Sequence, residues 1–206
     1  MEEKMKFQTK DLFSAACHTG GPAAVKLLSV SLKKAVSVFC FSFLLNCMGT
    51  DSFGRFWDEA GTDKNLEGTW RETNGKAEYS VRTGGKYMKL TDAVSKEKRY
   101  FKILDYKGNR ISLVLVRQDL KEESIEAEKK EGFIFPMEVK DREITAYAMN
   151  TKGGELLKKK VKGQDIKISP YGSVVFPELT LEVLDALISI PKDENYFEIG
   201  KFAKTE

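Results

Sequence analysis

The chain has no cysteine and no histidine beyond residue 47. All three cysteines (Cys17, Cys40 and Cys47) and the single histidine, His18, lie in the first 47 of its 206 residues. The 159 residues after Cys47 therefore lack the side chains of disulfides, Cys/His zinc sites, thiol nucleophiles and imidazole acid–base catalysis. No acidic loop has the ligand spacing and glycine of a calcium site either. We therefore predict a chain that is not an enzyme and uses no cofactor and no metal.

Beyond the N-terminal segment, neither sign of charge is in excess. Residues 1–46 hold six lysines and three acidic residues, which leaves 28 basic and 28 acidic side chains from Cys47 onward. A formally neutral domain with interspersed signs gives no electrostatic reason to expect nucleic acid or an anionic surface as a partner.

The apolar run from Ala35 to Leu45 is too short to span a bilayer comfortably. Its eleven residues would reach about 16 Å as a helix at roughly 1.5 Å per residue, against a hydrocarbon core of ~30 Å. Lys33 and Lys34 precede the run, and Asn46 and a glycine-containing polar stretch follow it. A basic flank, a short apolar core and a polar exit are the three parts of a secretory signal peptide, which we predict within residues 1–46.

The tetrapeptide Leu44-Leu45-Asn46-Cys47 resembles the lipobox of bacterial lipoproteins. In that family the cysteine thiol receives a diacylglycerol, the chain is cut just before the cysteine, and the new amino group is usually acylated. The resemblance implies that Leu44, Leu45 and Asn46 form the signal-peptidase recognition site and that Cys47 is the lipid attachment site. The glycines and scattered acids that follow predict that residues 47–65 are a lipidated tether that merges into an ordered lead-in. The resemblance also implies export and a lipid anchor in the cell envelope, at the outer membrane. Two or three acyl chains make such an anchor stable, whereas one chain binds only marginally.

Three other interpretations of this segment stay open. It could be an uncleaved membrane anchor, a buried core helix or strand of a cytosolic protein, or a signal peptide that is cut elsewhere and not lipidated. About thirty residues precede the basic flank, which is long for a signal peptide. We therefore interpret residues 1–30 as either a long n-region or an artefactual extension, with translation beginning inside residues 25–32.

The rest of the chain, residues 66–206, has the turn rhythm of consecutive antiparallel strands. Turn signals such as Asn74-Gly75, Gly84-Gly85 and Lys107-Gly108 recur about every ten to twelve residues. We expect further turns near Ser95, Gln118, Glu131, Asp141, Gly153, Gly163 and Tyr171. We predict a mainly β domain, an antiparallel up-and-down barrel with one C-terminal helix.

Individual segments support the barrel and give it detail. Residues 133–140 and 143–148 alternate apolar and polar side chains, and residues 110–117 are apolar enough for a central strand buried on both faces. The charged segment 120–130 predicts an edge or protruding hairpin, and Pro136 predicts a peripheral or bulged position in its strand. Residues 177–190 fit a helix better than a strand, with Pro191 ending it and residues 196–202 adding a last strand.

Gly68-Thr69-Trp70, at the start of this meander, is similar to the G-x-W start of lipocalin-like proteins. In that family the tryptophan fills the closed base of the barrel, where its polar tip finds a partner. The resemblance raises the hypothesis of an interior that takes a small apolar ligand. The candidate lining side chains are Trp70, Ile111, Leu113, Phe133, Phe135 and Met137. The alternative is that these side chains simply fill the barrel.

Three functions are therefore weighed. The first is a membrane-anchored lipoprotein with a soluble β-barrel binding or structural domain, whose partner is the membrane, through the N-terminal lipid, and not nucleic acid. The second is a lipocalin-like carrier of a small apolar ligand. The third is a carboxylate-dependent enzyme using residues such as Glu122, Glu126 and Glu128, which are more typical of a solvated charged strand.

Overall fold

A computed structural model of the chain describes residues 47–116, 125, 131–170 and 172–205. Its strands are β1 (Met48–Thr50), β2 (Gly68–Glu72), β3 (Glu78–Gly84), β4 (Tyr87–Asp92), β5 (Lys98–Tyr106), β6 (Asn109–Leu115), β7 (Gly132–Lys140), β8 (Glu143–Met149), β9 (Lys167–Ile168), β10 (Val174–Phe176) and β11 (Tyr196–Lys204). Its helices are α1 (Phe56–Glu59), α2 (Thr151–Lys160), α3 (Leu181–Ser189) and α4 (Lys192–Asn195), with a 3-10 turn at Lys64–Leu66.

Eight of the strands form a closed barrel. Strands β2 to β8 pair antiparallel in chain order, and β11 lies between β8 and β2 so that the ring closes. The expected mainly β, antiparallel up-and-down barrel is therefore confirmed. Tight turns set its register: Lys107 and Gly108 both have positive φ, 49° and 76°, which is the geometry of a two-residue hairpin turn.

Strands β1, β9 and β10 extend the sheet outside the ring. Strand β1 pairs antiparallel with β7 and parallel with β10, so it has a partner on each side. Met48, Phe53 and Trp57 are each 0% exposed and belong to one core cluster with residues of the helices. Residues 48–65, expected as a tether and lead-in, are therefore part of the folded domain, which includes Cys47 instead of starting near Leu66.

The barrel wall separates two apolar clusters. The inner cluster contains one or more side chains from each of the eight ring strands, with Trp70, Met88, Phe101 and Met137 among its members. The outer cluster packs α1, α2 and α3 and the extension strands against the outside of β5, β6 and β7. Consecutive strand residues alternate between the two clusters, as the period of two predicts.

Pro136 lies in the middle of β7, at a point where the neighbouring strand changes. On one side β7 pairs continuously with β6, including Pro136 against Ile111. On the other side β7 pairs with β1 through Ile134 and with β8 only from Met137 onward. The proline, which has no amide hydrogen to donate, therefore falls in the gap between two partners.

The helices confirm one of the remaining expectations and contradict another. Helix α3 confirms the C-terminal helix: Thr180 caps its first turn by accepting from the amide of Val183, and Ile190 and Pro191 follow its last residue. The turn expected at Gly153 is wrong, because α2 runs through it. The charged segment 120–130 lies outside the described residues except for Ile125, which is fully buried in the outer cluster.

Candidate functional sites

Cys47 is the first described residue and the only cysteine among those described. Its side chain is buried, and its carbonyl oxygen accepts a hydrogen bond from the amide of Val174 at 3.1 Å. Strand β1 begins at the next residue. Leu44, Leu45 and Asn46, the expected peptidase recognition site, lie outside the described residues, so the structure gives no geometry for them. Within the described ranges, no helix is long and apolar enough to cross a membrane.

Trp70 is buried in the inner cluster of the barrel. Its indole Nε1 donates to the carbonyl oxygen of Leu66 at 2.8 Å, which ties β2 to the preceding 3-10 turn. Lys204, which is paired with Trp70 on β11, places its Nζ 5.6 Å from the centre of the ring and donates to the carbonyl oxygen of Asn65 at 3.1 Å. The large ring therefore lies beside the 3-10 turn, with its polar tip satisfied.

The barrel interior contains four of the six candidate lining residues. Trp70 and Met137 belong to the inner cluster, while Phe133 and Phe135 contact each other, with ring centres 6.2 Å apart, near the end opposite the 3-10 turn. The register places all of them on the same face of the sheet. This face is the one that a ligand inside the barrel would touch.

Ile111 and Leu113 do not line the interior. They pair with Pro136 and Ile134 and therefore share the opposite face, where both pack in the outer cluster. The expectation that they face a ligand is corrected. Strand β6 is apolar on both faces, so its sequence does not reveal which alternate set points inward.

The inner cluster consists of buried side chains, and two pockets in the described part of the chain both lie outside the barrel interior. One pocket of about 30 Å³ lies between β6 and α3, lined by residues such as Ile111 and Leu187. A wider groove of about 420 Å³ lies beside the 3-10 turn. Neither is lined by Trp70, Phe133, Phe135 or Met137. The described side chains thus fit the filled-barrel alternative better than an open ligand chamber.

The wider groove is lined with charged groups that already pair with one another. Arg110 donates from NH1 to Asp63 Oδ2 at 2.7 Å and from Nε to Asp105 Oδ1 at 3.1 Å. The hydrogen bond to Asp105 raises the pKa of Arg110, so the guanidinium stays charged at any ordinary pH. These two ion pairs make the groove a structural network that fastens the 3-10 turn to β5 and β6.

Lys102 is a buried charge that the sequence reasoning missed. It is 3% exposed, its Nζ donates to the carbonyl oxygen of Trp57 at 2.9 Å, and it lies 4.9 Å from the Trp57 ring centre. It faces the outer side of β5 and holds α1 against the barrel. The alternation in β5 gives the face of residue 102, but only the helix packed there explains a lysine on it.

The described residues give no support to a metal site or to a carboxylate-dependent active site. The described residues contain no group of three or more His, Cys, Asp or Glu side chains that could hold a metal ion. Glu122, Glu126 and Glu128, the candidates for a carboxylate enzyme, lie outside the described residues. The absence of enzymatic activity stays a prediction.

Comparison with protein-family models, with curated proteins and with solved structures finds no match to this chain. The likeness to lipoproteins and to lipocalins therefore rests on the motifs and on the barrel alone.

Proposed function

We propose that this chain is an exported lipoprotein, held at the cell envelope by lipid on Cys47, at the outer membrane, with a β-barrel as its soluble domain. The observation that carries the proposal is that the lipobox-like Leu44-Leu45-Asn46-Cys47 follows the short apolar run and directly precedes β1. A domain attached by two or three acyl chains needs no spanning helix.

The position of Cys47 adds two physical consequences to this proposal. Met48 is fully buried and paired on both sides, so the anchor has no slack tether and the barrel domain would lie close to the lipid surface. Because the Cys47 side chain is buried, lipid must reach its sulfur before β1 packs between β7 and β10. Lipidation would then precede the completion of folding.

The filled interior favours a structural or protein-binding role for the domain over transport. Large side chains such as Trp70, Met88 and Phe101 are buried together in one inner cluster and occupy the barrel interior. Such a barrel is a stable scaffold whose outer surface and loops are available for contacts.

Metabolic labelling with a palmitate analogue tests the anchor. The unaltered chain should incorporate label and sediment with membranes, while Cys47→Ser should lose both properties. Met48→Leu is a matched control that changes the next residue and keeps the sulfur of Cys47, so it should be labelled normally. Unchanged labelling of Cys47→Ser, or its unchanged membrane association, would contradict the proposal.

A carrier of a small apolar ligand is the second candidate, and the Phe133–Phe135 pair is the observation that favours it. These rings lie at the barrel end that the 3-10 turn does not close, where a ligand could enter by displacing them. Native mass spectrometry after mild extraction decides between the two roles. We expect the bare mass of the protein; a stoichiometric co-purified lipid, lost in Phe135→Glu, would establish the carrier instead.

A further inference from the structure

The end of α2 and the segment after it carry an uneven share of positive charge. Residues 155–167 contain five lysines against two acidic side chains, a net charge of +3 in a domain that is neutral from Cys47 onward. The lysines are Lys158, Lys159, Lys160, Lys162 and Lys167, and all are exposed. We call them, together with Leu181, the lysine patch.

Few of these lysines form an ion pair with another described residue. Of the five, only Lys167 forms an ion pair with another described residue, at 3.8 Å from Asp165. Lys192 and Lys201, in contrast, are paired with Glu138 and Glu143. Exposed lysines without a described ionic partner also occur elsewhere, so the local concentration of lysines is what distinguishes the patch. Four ammonium groups close together in sequence produce a local positive potential that the neutral total charge conceals.

An exposed leucine adjoins the same surface. The amide of Lys162 donates to Glu182 Oε1 at 2.8 Å, and Gln164 Nε2 donates to Thr180 Oγ1 at 3.1 Å. Leu181 lies between these two contact points and is 46% exposed, one of two large aliphatic side chains exposed to this degree among the described residues. The patch thus combines basic groups with an accessible apolar side chain.

Helix stabilisation explains only part of this arrangement. Lys158, Lys159 and Lys160 occupy the last turn of α2, where positive charge interacts favourably with the helix dipole. Lys162 and Lys167 lie beyond the helix and gain nothing from it. The exposure of Leu181 is equally unexplained by the dipole, so a surface partner is the simpler account of the whole set.

The patch lies near the start of the fold. Lys167 on β9 is level with Val175 on β10, which is level with Gly49 on β1. With strands ~4.8 Å apart and residues ~3.3 Å apart along a strand, the backbones of Lys167 and Cys47 are separated by about 12 Å. The acyl chains proposed on Cys47 and the lysine patch could therefore reach one bilayer surface together.

We propose that the lysine patch docks on an anionic lipid surface, with its lysines facing the headgroups and Leu181 entering the interface. This inference deepens the proposed function, because it gives the anchored domain a second membrane contact and a defined orientation. Anionic headgroups attract each nearby lysine, and an apolar side chain among the lysines suits a bilayer better than a nucleic acid.

Vesicle sedimentation of the full-length chain carrying Cys47→Ser tests the patch without any lipid anchor. Partition is measured on vesicles of phosphatidylcholine alone and of phosphatidylcholine with 30% phosphatidylglycerol. The ratio of the two partition coefficients measures the preference for anionic lipid, and residues 1–46 are the same in every variant, so differences between variants report on the residues that were changed. Replacing Lys158, Lys159, Lys160 and Lys162 by Gln should lower this ratio about tenfold or more at low salt.

A matched variant removes four other exposed lysines (Lys64, Lys76, Lys86 and Lys98) and changes the net charge by the same amount. It should lower the ratio less than threefold. Leu181→Ser should weaken binding to the anionic vesicles by several-fold while circular dichroism stays unchanged. Equal losses in the two lysine variants, or tight binding of the patch to a single-stranded oligonucleotide without vesicle binding, would overturn the inference.

The two proposals fail independently. If palmitate labelling is absent but the patch variant still loses the anionic preference, the anchor is wrong and the patch stands. If labelling is present and the patch variant behaves like its control, the anchor stands and the patch is wrong.

Discussion

At the scale of single residues, Trp70 and Lys204 join the two strands that complete the barrel. Trp70 lies on β2, the first strand of the ring, and Lys204 lies on β11, the last one, and the two residues are directly paired. Each also bonds to a carbonyl of the 3-10 turn, at Leu66 and Asn65. Trp70 and the 3-10 turn, which are close in sequence, are therefore held to Lys204 on the last strand.

We expect Trp70→Phe to lower the free energy of unfolding by about 1–2 kcal/mol, because it keeps an aromatic ring but leaves the carbonyl of Leu66 unpaired. Trp70→Ala should cost about 3–5 kcal/mol through the cavity that it creates. Urea unfolding measures both values. Val94→Ala, at a site 71% exposed, is the control and should change stability by less than about 0.5 kcal/mol. Equal stability of Trp70→Ala and Val94→Ala would refute this role.

Glu138 makes part of the stability depend on pH. Lys192 donates to its carboxylate at 2.9 Å, and this hydrogen bond lowers the pKa of Glu138 below 4.5. A lowered folded-state pKa stabilises the fold above the ordinary pKa of a glutamate, and this contribution is lost as the pH falls through the folded-state value. Both partners are about one-third exposed, so the pair is worth at most about 1 kcal/mol.

The Glu138→Gln variant should therefore be less stable than the unaltered chain at pH 7. As the pH falls through the lowered folded-state pKa of Glu138, the difference between the two should shrink toward zero, because the carboxyl then becomes protonated in the folded state as well. Denaturant unfolding at pH 7, 5 and 3 measures this trend. A difference that stays constant across the three pH values would mean that Lys192 does not act through the charge of Glu138.

At the scale of elements, α2 contains a pair of glycines that is typical of a turn but here lies inside a helix. Gly153-Gly154 predicts a turn, yet here both glycines lie in the first turns of a helix because other groups pack against them. A Cβ on Gly153 would come within 2.5 Å of the carbonyl oxygen of Asn195, and one on Gly154 within 2.7 Å of Val174 Cγ2. Asn150 caps the helix by accepting from the amide of Gly153 at 2.9 Å.

We expect Gly154→Ala to destabilise the protein by about 1–3 kcal/mol, because the added methyl group overpacks the contact with β10. If Gly154 instead served a turn, alanine would cost nothing through packing. Gly61→Ala is the matched control, since no atom lies within 4 Å of the added Cβ and φ is not positive there. Thermal unfolding of the two variants makes the comparison, and a shift no larger for Gly154→Ala than for Gly61→Ala would contradict the packing argument.

Local sequence patterns were sufficient to predict the strands of the barrel. Turn dipeptides such as Gly84-Gly85 and the alternation in residues 133–140 predicted the strands of the barrel correctly, since hairpin geometry and the period of two are local. The inward face of β6 could not be predicted, because Ile111 and Val114 are equally apolar and only the packing of α3 distinguishes them. Helix α2 was not predicted, because its two glycines are required by close packing against β10 and Asn195, which are distant in sequence.

At the scale of the whole molecule, the segment after Cys47 belongs to the core. Its glycines and scattered acids suggest a tether, but Phe53 and Trp57 stack on each other with ring centres 5.7 Å apart and are fully buried. Strand β1 also fills the position between β7 and β10. The domain thus leads directly into the proposed anchor, and its orientation on a membrane would be restricted.

A chain that begins at Leu66 should therefore fail to fold, in contrast to a chain that begins at Cys47. The shorter chain lacks the buried rings of Phe53, Phe56 and Trp57. Each lost Phe or Trp costs about 3–5 kcal/mol, so losing all three removes most of a typical total stability of about 5–15 kcal/mol. Near-ultraviolet circular dichroism and cooperative unfolding are the measurements. A Leu66 start with the same unfolding midpoint as the Cys47 start would restore the tether interpretation.

The most direct test of the central claim is the intact mass of the protein extracted from the membranes of the cells that make it. We predict a chain that starts at Cys47 and carries the mass of a diacylglyceryl group, with a further acyl chain on the amino group. A chain that retains residues before Cys47, or one that starts at Cys47 with an unmodified thiol, would contradict the account.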